Sequence, residues 1–134
     1  MNILLDAMGG DNAPDANIKG ALKAVNQIKA TITLVGKEEV IRNKVKEFTG
    51  KEIEEVSDRL KIKNATETIE MEDGPTDAIR HKKDSSMVVG FKMLKENEGD
   101  VFISAGNSGA LLAGATLIVG RIKGIDRPAL AGIL

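Results

Sequence analysis

The segment DVFISAGNSGALLAGAT, residues 100–116, changes character twice along its length. A short apolar run, Val101–Ile103, gives way to small and polar residues, after which the chain becomes apolar again. This order predicts a strand that ends in a loop, followed by a helix that starts at Asn107 or Ser108 and runs towards Val119. Exposed N–H groups at such a helix start favour an anion. The pattern fits an anion-binding loop and an ordinary strand-to-helix turn equally well.

Nucleotide-binding motifs are missing from this segment. Residues 109–116, GALLAGAT, differ from a P-loop because Ala115 stands where the phosphate-binding lysine is required. The G-x-G-x-x-G fingerprint of dinucleotide-binding domains is also absent. The sequence therefore argues against a P-loop and against a nicotinamide-dependent dehydrogenase domain.

The alternation of apolar strands and amphipathic helices extends over the whole chain. We predict strands at Asn2–Leu5, Thr31–Gly36, from Leu60, at Val101–Ile103 and at Ala129–Leu134. We predict five helices: one after Pro14 with Asp11 or Asn12 near its cap, one at Glu38–Phe48, one within Asp77–Lys83, one after a cap at Asp84 or Ser85, and one that runs towards Val119. The segment Gly50–Arg59 is predicted to be a surface connection. Such alternation predicts an α/β domain with a mostly parallel sheet, which binds ligands at the carboxyl ends of its strands.

Composition narrows the chemistry. The 134 residues suit a single domain, and they include no Cys, one His and a net charge of −1. The lack of Cys excludes disulfides, thiolate metal sites and a Cys nucleophile, and a single His leaves little room for a Ser-His-Asp triad. Low charge and few aromatics argue against a nucleic-acid surface. With no signal peptide or long apolar stretch, we expect a cytoplasmic protein, and the apolar ending RPALAGIL suggests that the chain continues.

Two further loops carry candidate ligand groups. In AIRHKKDSSM, residues 78–87, four basic side chains precede two hydroxyls at a predicted helix start. This combination predicts phosphate binding, and the alternative is a solvated basic turn with Ser85 as the cap; His81 is a candidate general base. In LLDAMGGD, residues 4–11, the paired glycines allow the backbone to approach a ligand closely. Asp6 and Asp11 could orient basic side chains or hold hydrated Mg²⁺; the alternative is turn chemistry with helix capping, which is the better explanation for Asp11.

Three segments taken together resemble one family. DAMGGD (6–11), RHKKDSS (80–86) and SAGNSGALLA (104–113) occur in an order and spacing that resemble the N-terminal portion of PlsX-type phosphate acyltransferases, the fatty acid and phospholipid synthesis proteins of bacteria. The resemblance includes the tail IDRPALAGIL, and Ser108 stands where the family often has Thr. It implies a three-layer αβα fold similar to the isocitrate/isopropylmalate dehydrogenase-like and phosphotransacetylase folds. It also implies that residues 1–134 are one α/β domain, the first part of a longer enzyme.

The same resemblance implies a function. The reaction is transfer of an acyl group from acyl-[acyl carrier protein] to inorganic phosphate, which gives acyl phosphate for phospholipid synthesis and requires no cofactor or metal. The implied partners are acyl carrier protein, phosphate, a second copy in a homodimer and a downstream membrane glycerol-3-phosphate acyltransferase, with peripheral membrane contact outside this chain. Two alternatives remain open, which are a phosphotransacetylase-like enzyme that uses acyl-CoA and a non-catalytic phosphate-binding fragment.

The site residues follow from the resemblance and from the loop chemistry. The predicted catalytic residues are Lys82, Ser86, Asn107 and His81. The predicted phosphate-binding residues are Asp6, Gly9, Gly10, Arg80, Lys83, Ser85, Ser104, Gly106, Ser108 and Gly109, with Asp6 orienting a cation.

Overall fold

The computed structural model describes residues 1–131. The strands are β1 (Asn2–Asp6), β2 (Thr31–Gly36), β3 (Leu60–Asn64) and β4 (Val101–Ile103). The helices are α1 (Asp15–Val25), α2 (Glu38–Thr49), α3 (Ile53–Val56), α4 (Pro75–His81), α5 (Ser86–Lys95) and α6 (Ser108–Gly114), and a π-helical turn at Ala115–Val119 continues α6. The four strands form one sheet in the order β3-β2-β1-β4, and every pairing is parallel.

Helices cover both faces of this sheet. Alternation along β1 sends Leu4 to one face, where it packs with Val89 and Met93 of α5, and Leu5 to the other face. On that second face the apolar stripe of α1 meets β2 and α2, with Ile18 and Leu34 fully buried. Burial of each such side chain contributes about 1.5–3 kcal/mol. The predicted three-layer αβα architecture is confirmed.

Several predicted elements need correction. The segment Gly50–Arg59 is more than a surface connection, because it contains α3 and buries Ile53 to 3% exposure. The N-cap of α1 is Pro14, two residues after Asn12, and no side chain makes a cap hydrogen bond there, so neither Asp11 nor Asn12 caps the helix through its side chain. Of the strand predicted at Ala129–Leu134, residues 129–131 are not in a strand and 132–134 lie outside the described residues. Within residues 1–131, no helix combines the length and apolar composition that a membrane crossing needs.

Candidate functional site

The strand register brings the loops after β1 and β4 together. The two strands pair in parallel with Leu5 opposite Ile103, so the next residues, Asp6 and Ser104, lie side by side at the carboxyl edge of the sheet. Ser104 Oγ donates a hydrogen bond to Asp6 Oδ2 at 2.7 Å. This is the edge at which α/β sheets bind ligands, and two of the predicted site loops meet there.

A third element reaches the same carboxylate. Ser86, the first residue of α5, donates from Oγ to Asp6 Oδ1 at 2.6 Å, and the amides of Met8 and Gly9 donate to that oxygen at 3.0 and 3.1 Å. Asp6 and Ser86 are each only 2% exposed. We call Asp6, Ser86 and Ser104 the Asp6 cluster. We predicted that Asp6 orients a cation, but its carboxylate instead accepts hydrogen bonds from two hydroxyls and two amides. Hydrogen bonds to a charged group are stronger than those between neutral groups.

Glycine is required where the two loops touch. A Cβ on Gly9 would lie 2.6 Å from Asp6 Oδ2 and 3.0 Å from the backbone N and Cα of Gly106. Gly10 has a φ of +112°, and a Cβ there would lie 3.2 Å from Ala105 Cβ. The glycines therefore let one loop approach the other, whereas the sequence suggested an approach to a ligand.

Asn17 closes the β1 loop and was missed at the sequence level. Its Nδ2 donates to the backbone carbonyls of Asp6 and Gly9, both at 2.9 Å. The sequence did contain a signal for this role. An amide side chain in the first turn of a helix that directly follows a glycine-rich loop can donate hydrogen bonds back to that loop.

Lys82 is tied to the segment that precedes α4. Its Nζ donates to Asp73 Oδ2 at 2.6 Å and to the carbonyl of Thr68 at 2.8 Å. The hydrogen bond with Asp73 raises the pKa of Lys82 above its ordinary value and lowers the pKa of Asp73. These contacts keep both groups charged at neutral pH, and neither contact reaches the Asp6 cluster.

Asn107 fastens the same segment from the other side. Its Nδ2 donates to three backbone carbonyls, those of Glu70, Met71 and Asp73, at 3.0–3.3 Å. Its Oδ1 accepts from the amide of Ala110 at 3.1 Å and so caps α6. The loop after β4 and the turn before α4 are therefore held together by one side chain that is only 7% exposed.

The remaining predicted residues lie around this edge in different settings. Ser85 is fully buried, and its Oγ accepts from the amide of Val88 as the N-cap of α5. His81, Lys83 and Ser108 are exposed. Arg80 is also exposed and borders, with Gly109, a cavity of about 410 Å³ between α4 and α6.

The structure thus sorts the predicted residues into two groups. It brings together, at the carboxyl edge of β1 and β4, Asp6, Gly9, Gly10, Ser86, Ser104 and Gly106. It leaves the basic side chains outside this set of contacts. Across residues 1–131 no group of three or more His, Asp or Glu side chains is placed to hold a metal ion. Two hydroxyls fixed by a buried carboxylate give the edge a rigid polar floor, which suits the positioning of a small polar ligand.

Comparisons with known proteins give a consistent result. A family model described as "Fatty acid synthesis protein" matches residues 1–134. The chain is 55% identical over 135 residues to a phosphate acyltransferase of Acetivibrio thermocellus and 52% identical over 135 residues to one of Thermoanaerobacter pseudethanolicus. It is 48% identical over 134 residues to a phosphate acyltransferase of Clostridioides difficile. Each match covers 100% of this chain and 38% of the relative, so the chain spans well under half the length of these curated proteins.

Proposed function

Because the chain belongs to the fatty acid synthesis protein family, we propose that it forms part of an acyltransferase that makes acyl phosphate from acyl-[acyl carrier protein] and inorganic phosphate. Its relatives carry the name phosphate acyltransferase, which supports both the transferred group and the acceptor. The observation in this chain that supports the proposal best is the Asp6 cluster, in which two hydroxyls are fixed at the carboxyl edge of the sheet.

The proposed reaction requires no side-chain nucleophile. A phosphate oxygen attacks the thioester carbonyl, a C–O bond forms, and the C–S bond breaks. Hydrogen phosphate gives up its hydrogen to water and the leaving sulfur takes one up from water, so the products are acyl phosphate and the carrier thiol. Since phosphate is itself the nucleophile, a chain without Cys and with one His can support the reaction. The protein must orient the phosphate and place donors at the developing oxyanion.

We assign the phosphate half of this reaction to the Asp6 cluster. In the proposal Ser86 and Ser104 contact the phosphate, and the backbone around Gly9 and Gly106 forms the floor beneath it. Lys82 and Asn107 act from behind, because their observed contacts hold the turn before α4 against the loop after β4. Arg80, His81, Lys83, Ser108 and Gly109 stay predicted site residues at the borders of this edge.

The first experiment identifies the thioester donor. The protein at its full natural length is incubated with phosphate and either acyl-[acyl carrier protein] or acyl-CoA, and acyl phosphate is trapped with hydroxylamine. We expect product from the carrier-protein thioester. Product from acyl-CoA alone would support the phosphotransacetylase-like alternative, and no product from either donor would support a non-catalytic phosphate-binding protein.

The second experiment tests the site. Ser86→Ala and Ser104→Ala each remove one hydroxyl from the cluster, and we expect each to lower kcat/KM for phosphate roughly 10- to 100-fold, as loss of a buried polar contact does. Ser57→Ala is the matched control, because the Ser57 hydroxyl accepts from the amide of Arg59 in the connection before β3, outside the Asp6 cluster. Wild-type kinetics in both cluster variants would refute the assignment.

A further inference from the structure

The hydroxyl hydrogens of the Asp6 cluster point inwards. Ser86 Oγ lies 2.6 Å from Asp6 Oδ1, and Ser104 Oγ lies 2.7 Å from Asp6 Oδ2. An ionised carboxylate only accepts hydrogen bonds, so each hydroxyl donates its single hydrogen to Asp6. The two serines therefore present oxygen lone pairs, and no hydrogen, to any further partner.

The nearby amides are oriented in the same sense. The N–H groups of Met8 and Gly9 donate to Asp6 Oδ1 at 3.0 and 3.1 Å, and the N–H of Gly106 donates to Ser104 Oγ at 3.1 Å. All of these donors are directed at the cluster itself. A ligand that contacts the cluster thus meets a negative charge and accepting oxygens, an arrangement that repels an anion unless the anion can donate a hydrogen bond.

We propose that the Asp6 cluster selects an oxyanion that carries its own hydroxyl, namely hydrogen phosphate, over an oxyanion without hydrogen, such as sulfate. The inference rests on the proposed function, which places phosphate at this edge of the sheet. Near neutral pH hydrogen phosphate and sulfate carry the same charge and have similar size, but only hydrogen phosphate can donate to Ser86 Oγ or Ser104 Oγ. Sulfate would set oxygen against oxygen and leave an acceptor of the cluster unpaired.

This selection also orients the nucleophile. The protonated oxygen of hydrogen phosphate is its weakest nucleophile, and a hydrogen bond from that oxygen to the cluster holds it against the floor of the site. The unprotonated oxygens then face away from Asp6, towards the position where the thioester carbonyl must lie. The buried carboxylate, whose hydrogen-bond partners among residues 1–131 are hydroxyls and amides, thereby acquires a role in positioning through the two serines.

Anion binding to the wild-type protein tests the inference directly. Phosphate, arsenate and sulfate are titrated separately by calorimetry into the protein at its full natural length near neutral pH. We expect phosphate and arsenate, which both keep a hydroxyl, to bind with similar affinity, and sulfate to bind at least about tenfold more weakly. Sulfate binding as tight as phosphate binding, or no phosphate binding at all, would overturn the inference.

Variants separate hydrogen-bond direction from charge. Asp6→Asn is isosteric but replaces one accepting oxygen with a donating NH₂ group, which frees one serine hydrogen to point outwards, so the preference for phosphate over sulfate should fall towards unity. Asp11→Asn removes the same charge from an exposed position in the same loop and should keep the wild-type preference. If Asp6→Asn does not fold, Ser104→Ala serves instead, because it removes one accepting oxygen and should weaken the preference. A wild-type preference in the folded cluster variant contradicts the inference.

The two proposals can fail separately. If sulfate inhibits acyl phosphate formation as strongly as arsenate does, the cluster does not select a protonated anion, and the proposed function is unaffected. A clear preference for phosphate over sulfate in binding, with no acyl phosphate formed from any thioester, would overturn the proposed function alone.

Discussion

Two identical substitutions, Gly9→Ala and Gly20→Ala, should change stability in opposite directions. At Gly9 the new methyl carbon would lie 2.6 Å from Asp6 Oδ2 and 3.0 Å from the Gly106 backbone, well inside the ordinary contact distance of 3.4 Å. At Gly20, within α1, an added methyl carbon meets nothing within 4 Å. The pair therefore isolates the close approach of the two loops from the general effect of replacing glycine with alanine.

The magnitudes follow from the two settings. Overpacking at Gly9 costs about 1–3 kcal/mol, and displacement of Asp6 weakens its hydrogen bond with Ser104 by about 1 kcal/mol, so we expect a loss of about 2–4 kcal/mol in the free energy of unfolding. At Gly20, alanine restricts the unfolded chain and suits a helix interior, so we expect a gain of about 0.5–1 kcal/mol.

Urea unfolding followed by circular dichroism measures both effects, with each variant compared with the wild type at full natural length. Phosphate binding should also weaken in Gly9→Ala, because a Cβ at Gly9 would press on Asp6 Oδ2 in the Asp6 cluster. If Gly9→Ala unfolds at the same urea concentration as the wild type, the loops after β1 and β4 are not in close contact at Gly9.

Three further predictions concern the surroundings of the cluster. Asn107→Asp keeps the N-cap acceptor of α6 but sets a carboxylate against three carbonyls, so its cost should exceed the about 1 kcal/mol of a lost cap; an unchanged melting temperature would refute this role. The hydrogen bond from Lys82 lowers the pKa of Asp73 below its ordinary value of 3.8. The pair therefore stabilises the turn before α4 at pH values above 3.8, and this stabilisation is lost as the pH falls below 3.8 and through the lowered pKa. In the wild type, the rate of proteolytic cleavage in that turn should therefore rise as the pH falls below 3.8. Asp73→Asn should lack this rise, and a pH profile of cleavage like that of the wild type would contradict the role of the pair. Gly90→Ala places a methyl carbon 2.3 Å from Phe102 Cε1 and should cost about 1–3 kcal/mol, which wild-type thermal unfolding would disprove.

Local sequence signals were sufficient for most of the fold. The β-branched run Thr31–Gly36 is a strand with the predicted bounds, and the helix predicted from Glu38 to Phe48 extends by one residue. Ser85 caps α5 as one of the two residues proposed for that role. Ile53 was overlooked because a single apolar residue in a polar, acidic segment carries no periodicity, and its burial depends on contacts with distant elements.

The sequence was sufficient to predict that Asp6 and Ser104 lie at one edge of the sheet, but not which groups they contact. Strand ends and glycine-rich loops placed Asp6 and Ser104 at one edge, since parallel neighbours end at the same side of a sheet. The hydrogen-bond partners of Asp6 and Lys82 could not be predicted from the sequence, because the identity of a charged loop residue does not indicate which groups will face it. Lys82 binds a carboxylate nine residues away, and a basic side chain before two hydroxyls was instead interpreted as a phosphate ligand.

The span of the Asp6 hydrogen bonds along the chain has a consequence for the order of folding. The bond to Ser86 joins residues 80 positions apart, and the bond to Ser104 joins residues 98 positions apart. Strands β1, β2 and β3 can assemble from the first 64 residues, but β4 can add to β1 only after the chain up to Ile103 is available. Contacts of such long range form slowly and late. During synthesis the edge of β1 therefore stays uncovered until β4 is available, and the Asp6 cluster is complete only when β4 has paired with β1 and brought Ser104 beside Asp6.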